Sequence, residues 1–157
     1  MPSSYGGGLQ APDTTVIHAM GQFIESDGRI YYAKEWLDKL GYSAHILVDP
    51  VIGPISTRDL NMMAWHAKGF NANSVGIEFL VPGVWESDTF RKRIETPYLT
   101  DIQYEAGVWV YRTYLAHTKV VFHSEIDERY ENGYKVKVDP GRGFPKERYL
   151  YDIKKPG

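Results

Sequence analysis

Apolar residues along this chain fall into two patterns: short β-branched runs, and longer stretches with apolar positions three and four apart. Thr14-Thr15-Val16-Ile17-His18 is the first short run and predicts a strand ending at His18, with a turn at Gly21. Tyr31 to Leu40 places Ala33, Trp36, Leu37 and Leu40 at helical spacing, and Gly41 stands where a left-handed terminating residue belongs. Trp36 and Leu37 therefore read as core. Ser43 to Asp49 predicts a second strand, closed by Asp49-Pro50, and Val51 to Arg58 returns as a third. Pro54 confines that third strand to an edge or a strand start, because proline donates nothing to a ladder. Ser74 to Val81 is a strongly apolar strand with one acid in it, Glu78.

The second half continues the alternation. Pro82 to Pro97 carries Glu86, Asp88, Arg91, Lys92, Arg93 and Glu95 and reads as loop or irregular surface, one candidate wall of a groove. Thr100 and Gln103 have the spacing of a capping box that opens a helix, with Ile102, Ala106, Trp109, Val110 and Thr113 as its expected buried stripe. His117, where a cation complements the helix dipole, reads as structural or exposed. Lys119 to Phe122 is a β-branched strand that delivers His123. Asn132-Gly133 then lies between Arg129-Tyr130-Glu131 and Tyr134-Lys135-Val136, a hairpin signal because both turn positions need positive φ. Lys137-Val138-Asp139 reads as an alternating strand broken at Pro140-Gly141. The order is strand, helix, two strands, strand, helix, strand, hairpin. It predicts an α/β fold: a single mixed β-sheet flanked by helices, with functional residues converging on a cleft at the sheet rim.

Composition narrows the chemistry. The 157 residues suit one domain, with a Ser/Gly-rich flexible tail over 1–12 and a folded catalytic domain over 13–157. The formal net charge is −2, which gives no electrostatic footprint for nucleic acid. There is no cysteine, so disulfides and thiolate catalysis are excluded, and any zinc site must use histidine and carboxylate. No apolar run reaches the length of a membrane span, and the first residues lack the basic and apolar regions of a signal peptide. The expectation is a monomer made in the cytoplasm. Twelve Tyr and four Trp suit a groove that stacks on sugar or peptide as well as a core.

The candidate chemistry sits at strand ends. The hairpin can carry the chain out and back, bringing Asp139 near His123, and Lys137 and Asp139 share a face two residues apart. A His, a Lys and an Asp so placed form a candidate metal or catalytic cluster. The alternative is an ordinary surface hairpin with an incidental histidine. Glu78 either faces a solvated side of the sheet or points at a metal or a reacting bond, since a carboxylate inside a central strand is rarely buried without a partner. His45 and His66 line the cleft, orient ligands through hydrogen bonds, or are satisfied structural histidines. Trp65 is core or a substrate platform, and Arg58 and Asn73 are groove candidates on position alone.

Several of these pieces resemble one family. VIHAMG around His18, SAHILVD around His45, AWHA around His66, NSVGIEF around Glu78, LTDIQYEA at the second long helix, and FHSEID with KVDPGRGFP resemble the zinc-dependent (type 2) N-acetylmuramoyl-L-alanine amidases, a family spanning phage lysozymes, AmpD-like enzymes and animal peptidoglycan recognition proteins. The pieces occur in the family's order across most of residues 14 to 145. The resemblance implies one Zn²⁺ per chain held by His18, His123 and Asp139, with Glu78 as catalytic acid/base and Lys137 stabilising the transition state. Two neutral imidazoles and one carboxylate leave a tetrahedral zinc with one open position, the pattern of a catalytic site. Two features depart from the family: Ala19 stands where many members have a second histidine, and the span from His123 to Asp139 is longer than usual.

The implied function is a peptidoglycan hydrolase that cleaves the amide between N-acetylmuramic acid and L-alanine by activating water, of the phage endolysin kind. A cytosolic amidase that recycles muropeptides fits the same residues. A non-catalytic peptidoglycan-binding module is a different class, and members of that kind typically lose a zinc ligand. A metal-free structural domain is a third reading, which metal analysis of the purified protein separates from the rest.

Overall fold

The computed structural model describes residues 7–155. Its centre is one long strand, β1 (Thr14–Ile24), which continues through Gly21 with an irregularity between Met20 and Gln22 where a turn is expected from sequence. A two-residue strand, β2 (Ile30–Tyr31), turns back antiparallel onto its far end and leads into α1 (Ala33–Leu40). Helix α1 is closed by Gly41 in the left-handed region, as its sequence requires. Then come β3 (Ile46–Asp49) and β4 (Gly53–Ser56), an antiparallel pair in which β4 forms the sheet edge that Pro54 demands.

β5 (Ser74–Trp85) runs parallel between β1 and β3, and β6 (Lys119–Phe122) pairs parallel with the other side of β1. The result is a six-stranded mixed sheet with helices on its faces. Ser74 to Val81 is buried throughout, which a parallel strand covered on both faces requires.

Three segments differ from the sequence expectation. The charged stretch after Pro82 is regular: β5 extends to Trp85, and Ser87–Arg93 forms α2, whose Thr89 Oγ1 accepts from the Glu86 N–H at 3.1 Å. Its single buried apolar residue, Phe90, packs edge-on against Phe23, a contact 67 residues away in sequence that no local pattern signals.

Helix α3 (Asp101–Val110) has the Thr100/Gln103 capping box and buries Gln103, Tyr104, Gly107 and Val110, of which Val110 alone belongs to the stripe expected from sequence. Ile102 and Trp109 are about half exposed, at 49% and 53%. The face is set by Gln103, whose amide donates to the Val48 and Leu80 carbonyls at 2.9 and 2.6 Å, tying the helix to two strands. A buried polar group of this kind is held by its partners, and hydropathy alone cannot locate them. The helix continues as a π-helical turn, Tyr111–Leu115.

The third difference is at the C-terminal end. β7 (Tyr130–Glu131) and β8 (Tyr134–Lys135) form the expected hairpin, with Asn132 at φ 52° and Gly133 at φ 80°. Lys137 to Asp139 is unpaired chain and not a strand. Two helices are absent from the sequence reading: α4 (His123–Ile126), a single turn that begins at His123, and α5 (Lys146–Lys154), which buries Tyr149 and Ile153.

Residues 1–6 of the segment read as a tail lie outside the described residues. Residues 7–10 run beside 61–63, with Gly7 N–H donating to Met63 O and Gln10 N–H to Asn61 O. The Gln10 side chain also donates to the Leu60 and Ser74 carbonyls, both at 2.9 Å. No helix among the described residues is long and apolar enough to cross a membrane.

Candidate active site

Strand alternation and register build the site. His18 and Glu78 are register partners on β1 and β5, so their side chains share one face of the sheet. Their neighbours Ile17, Ile77 and Phe79 point to the opposite face, where Phe79 packs edge-on against Tyr149 of α5. β6 ends beside β1 and delivers His123 next to His18, with ring centroids 4.3 Å apart. Asp139 arrives from the far side of the hairpin. Its backbone carbonyl accepts from Ser124 N–H at 2.9 Å, and its Oδ2 accepts from Ala19 N–H at 3.1 Å.

Three donor atoms converge. His18 Nδ1 lies 2.9 Å from His123 Nδ1 and 3.6 Å from Asp139 Oδ2, and His123 Nδ1 lies 3.1 Å from Asp139 Oδ1. Nitrogen and oxygen ligands at roughly 2.0–2.1 Å around a tetrahedral Zn²⁺ stand roughly 3.3 Å apart, so this set has the dimensions of a zinc face. Glu78 Oε1 is 3.5 Å from His18 Nδ1. Its other oxygen, Oε2, is buried with no hydrogen-bond partner among the described residues, which points to a group that belongs beside it.

Electrostatics assigns a state to each group. Burial, then the neighbouring His123, lowers His18 to about 4, so its imidazole is neutral at physiological pH. Burial pushes the Asp139 carboxyl up, but the neighbouring imidazoles, His123 first and then His18, outweigh it and hold the group well below its usual range. Burial, with Asp139 adding to it, pushes Glu78 well above the usual carboxylate range. Two carboxylates in one site are thus driven apart, Asp139 toward permanent charge and Glu78 toward exchanging a proton.

These residues open onto a cleft of about 570 Å³ that also takes in Trp36, Tyr42, Trp65, His66, Arg91, Arg129 and Lys137. A larger groove of about 820 Å³ lies between α3 and α5, but no histidine lines it. Of the sequence candidates, His18, Trp65, His66, Glu78, Lys137, His123 and Asp139 share the cleft. Trp65 is 42% exposed there. His66 sits behind His18, its Nδ1 2.9 Å from His18 Nε2.

Three candidates lie elsewhere. Arg58 is buried and donates to the Met63 and Gly7 carbonyls at 2.8 and 2.7 Å. Asn73 stands at the opposite end of the β1–β5 pair, where its carbonyl accepts from Asp13 and Thr14. His45 is fully buried, accepting from Gly76 N–H at Nδ1 and donating from Nε2 to Met62 O at 2.6 Å. Arg91, in the charged segment read from sequence as surface and a candidate groove wall, lines the cleft, though sequence reasoning does not single it out. Its guanidinium donates to Lys135 O at 2.7 Å and so holds the chain two residues before Lys137, a contact across 44 residues with no local signal.

His45 makes the fold acid-sensitive. Burial is the main cause that lowers it from 6.5 to about 4, with nearby Arg58 in the same direction and the Met62 carbonyl opposing. The unfolded chain takes up the proton near 6.5 and the folded chain refuses it until about 4. Stability is therefore unaffected above 6.5 and declines as pH falls from 6.5 to 4, by about 3 kcal/mol from this residue. Between pH 7.5 and 4.5 the wild type is expected to lose about 2–3 kcal/mol more than His45→Gln, measured by urea unfolding. Equal losses in the two proteins contradict this assignment.

The sequence pattern of the N-acetylmuramoyl-L-alanine amidase family matches residues 8–142. No curated protein matches the chain at a significant level. Several solved structures share the fold, three of them as follows. N-acetylmuramoyl-L-alanine amidase LysC from Clostridium intestinale is 18% identical with a TM-score of 0.69, over 99% of this chain and 96% of that one. A selenomethionine AmpD is 20% identical with a TM-score of 0.68, over 98% and 93%. Bumblebee PGRP-SA is 16% identical with a TM-score of 0.51, over 87% and 83%.

Proposed function

Because this chain belongs to the N-acetylmuramoyl-L-alanine amidase family, we propose that it hydrolyses the amide between the lactyl group of N-acetylmuramic acid and L-alanine in peptidoglycan. The observation that carries the reading is the convergence of His18 Nδ1, His123 Nδ1 and an Asp139 oxygen within 4.8 Å, with Glu78 beside them, its Oε2 without a hydrogen-bond partner among the described residues. One zinc ion suits this donor set, two neutral imidazoles and one anion. Bound there, it supplies Lewis-acid polarisation of the scissile carbonyl and a lowered pKa for water.

The chain's own groups do the rest. Glu78, as carboxylate, takes a proton from the attacking water as the O–C bond forms. It returns that proton to the amide nitrogen as the C–N bond breaks, leaving a lactyl carboxylate and the free amine of L-alanine. Its raised pKa suits the second step, because a carboxyl that holds its proton more tightly is available as an acid nearer neutrality. Lys137 carries positive charge into the cleft, where negative charge develops on the carbonyl oxygen. Trp36, Tyr42 and Trp65 supply apolar walls for the sugar and stem peptide.

The cleft is flanked by a hairpin with Tyr130 and Tyr134 exposed, 65% and 75%. That open, aromatic border favours a long wall polymer, the substrate of an endolysin, over a small recycled muropeptide. A non-catalytic binding module is disfavoured because ligands, acid/base and lysine are all present in the cleft.

The test is digestion of purified sacculi and, in parallel, of a 1,6-anhydro muropeptide. Free L-alanine amino termini without new reducing ends are expected, faster on sacculi. New reducing ends without new amines would make the protein a glycosidase. Preferential cleavage of the anhydro substrate would make it a recycling enzyme.

A further inference from the structure

A row of hydrogen bonds runs from His18 away from the cleft, and its direction is set by its far end. Phe70 O can only accept, so the Ser74 hydroxyl gives it its single proton. Ser74 Oγ then offers only lone pairs to His66 Nε2, 3.0 Å away, so that nitrogen carries the hydrogen. A neutral His66 is bare at Nδ1 and takes the N–H of His18 Nε2 at 2.9 Å. His18 is left bare at Nδ1, the atom that faces His123 and Asp139.

We infer that His66 and Ser74 are positioning residues, which hold His18 in the one tautomer that can coordinate a metal through Nδ1. The inference rests on the reading of His18 as a metal ligand. The loop that carries His66 is built to present it: the backbone N–H groups of His66 and Ala67 both donate to Asn71 Oδ1, at 2.9 and 2.8 Å. Gly76 on β5 makes the room. A Cβ there would lie 2.6 Å from both Cγ and Nδ1 of the His66 ring. The absence of a side chain at Gly76 is therefore a condition for the imidazole to lie against the strand and reach His18. Positions 74 and 76, two apart on β5, share one face, so the Ser74 hydroxyl meets the ring where the bare backbone of Gly76 leaves room for it.

The test pairs zinc affinity, measured by chelator competition, with the tautomer of His18, read from two-bond ¹H–¹⁵N correlations of histidine-labelled, metal-free protein. The wild type shows His18 protonated at Nε2 alone. His66→Leu removes the acceptor, weakens zinc about 10- to 100-fold and mixes the His18 tautomers. His66→Asn can place Oδ1 near the lost Nδ1, so it stays within about threefold of wild type, a rescue that a merely space-filling role does not produce. Gly76→Ala reproduces the loss seen in His66→Leu although the histidine is still present.

Ser74→Ala is a smaller change, for use if His66→Leu does not fold, and it mixes the tautomers of His66. Zinc affinity of His66→Leu equal to wild type, or His18 protonated at Nδ1 in the wild type, overturns the inference. So does Ser74→Ala with both tautomers unaltered. A wild type that binds no zinc while His18 still shows only Nε2–H is the signature of a failed metal reading. It leaves the hydrogen-bond direction standing but removes its purpose.

Discussion

Glu78→Gln lowers amide-bond turnover by about two to four powers of ten while zinc content and folding stay intact. Glutamine keeps the size of the side chain and an oxygen that can accept hydrogen bonds, but it cannot carry a proton from water to the departing amine. Glu78 is buried, at 6% exposure, within the stretch Ser74 to Leu80 that pairs without a break with β1, so the substitution leaves little room for rearrangement. Removing a carboxylate that burial and Asp139 both push toward protonation also relieves an unfavourable charge, and the variant is expected to be at least as stable as the wild type. Binding to sacculi is nearly unchanged, because the lost interaction belongs to the transition state. The measurement is turnover on sacculi together with zinc per chain. Loss of zinc in this variant would make Glu78 a ligand. Retention of both zinc and near-normal turnover would move the acid/base role to another group in the cleft.

Asp139→Asn, by contrast, empties the metal site. Asp139 is the only anion among the three converging donors, and its backbone is fixed independently of its charge through the Ser124 N–H. Asparagine therefore occupies the same place with a similar shape, can still accept from Ala19 N–H through its oxygen, and differs chiefly in charge. Zinc facing two neutral imidazoles and a neutral amide loses its strongest attraction. Affinity is expected to fall by more than the roughly 10- to 100-fold typical of groups that only support a ligand. His123→Ala removes a donor outright and leads to the same outcome. Elemental analysis of protein never exposed to chelator should give about one zinc in the wild type and well under one in each variant. Full zinc in Asp139→Asn would remove Asp139 from the site. The two variants are diagnostic together: one loses chemistry and keeps metal, the other loses both.

Much of the fold was legible because local chemistry dictated it. Apolar, β-branched runs at Val16, Val75 and Val120 could form little but strands, Thr100 with Gln103 could start a helix, and Asn132-Gly133 could reverse a hairpin. Each rests on backbone geometry or on partners within three or four residues, and such interactions survive whatever the rest of the chain does. Where the partner was distant, sequence reading failed. Of the stripe expected on α3, Val110 is buried but Ile102 and Trp109 are half exposed, because Gln103 turned the helix by reaching carbonyls 55 and 23 residues away. The charged segment after Pro82 looked like surface because a single buried Phe90, packed on Phe23, holds it in place.

The same division holds in the site. The residue types, two histidines and a carboxylate without any cysteine, were readable from the chain, and so was the oddity of an acid within an apolar strand. Which candidates meet was decided by register, with His18 opposite Glu78 and β6 beside β1 placing His123 against them, and by the hairpin that returns Asp139. A shift of one residue would have turned His18 to the other face, because side chains alternate along a strand. His45, His66, Arg58 and Asn73 look equally plausible as letters. Tertiary structure put His66 behind His18, buried His45 and Arg58 in hydrogen bonds to backbone, and left Asn73 at the far end of its strand. Sequence sets what a residue can do with its neighbours along the chain. Only the packed sheet, which brings residues 18, 78, 123 and 139 within a few ångströms, decides what it does with the rest.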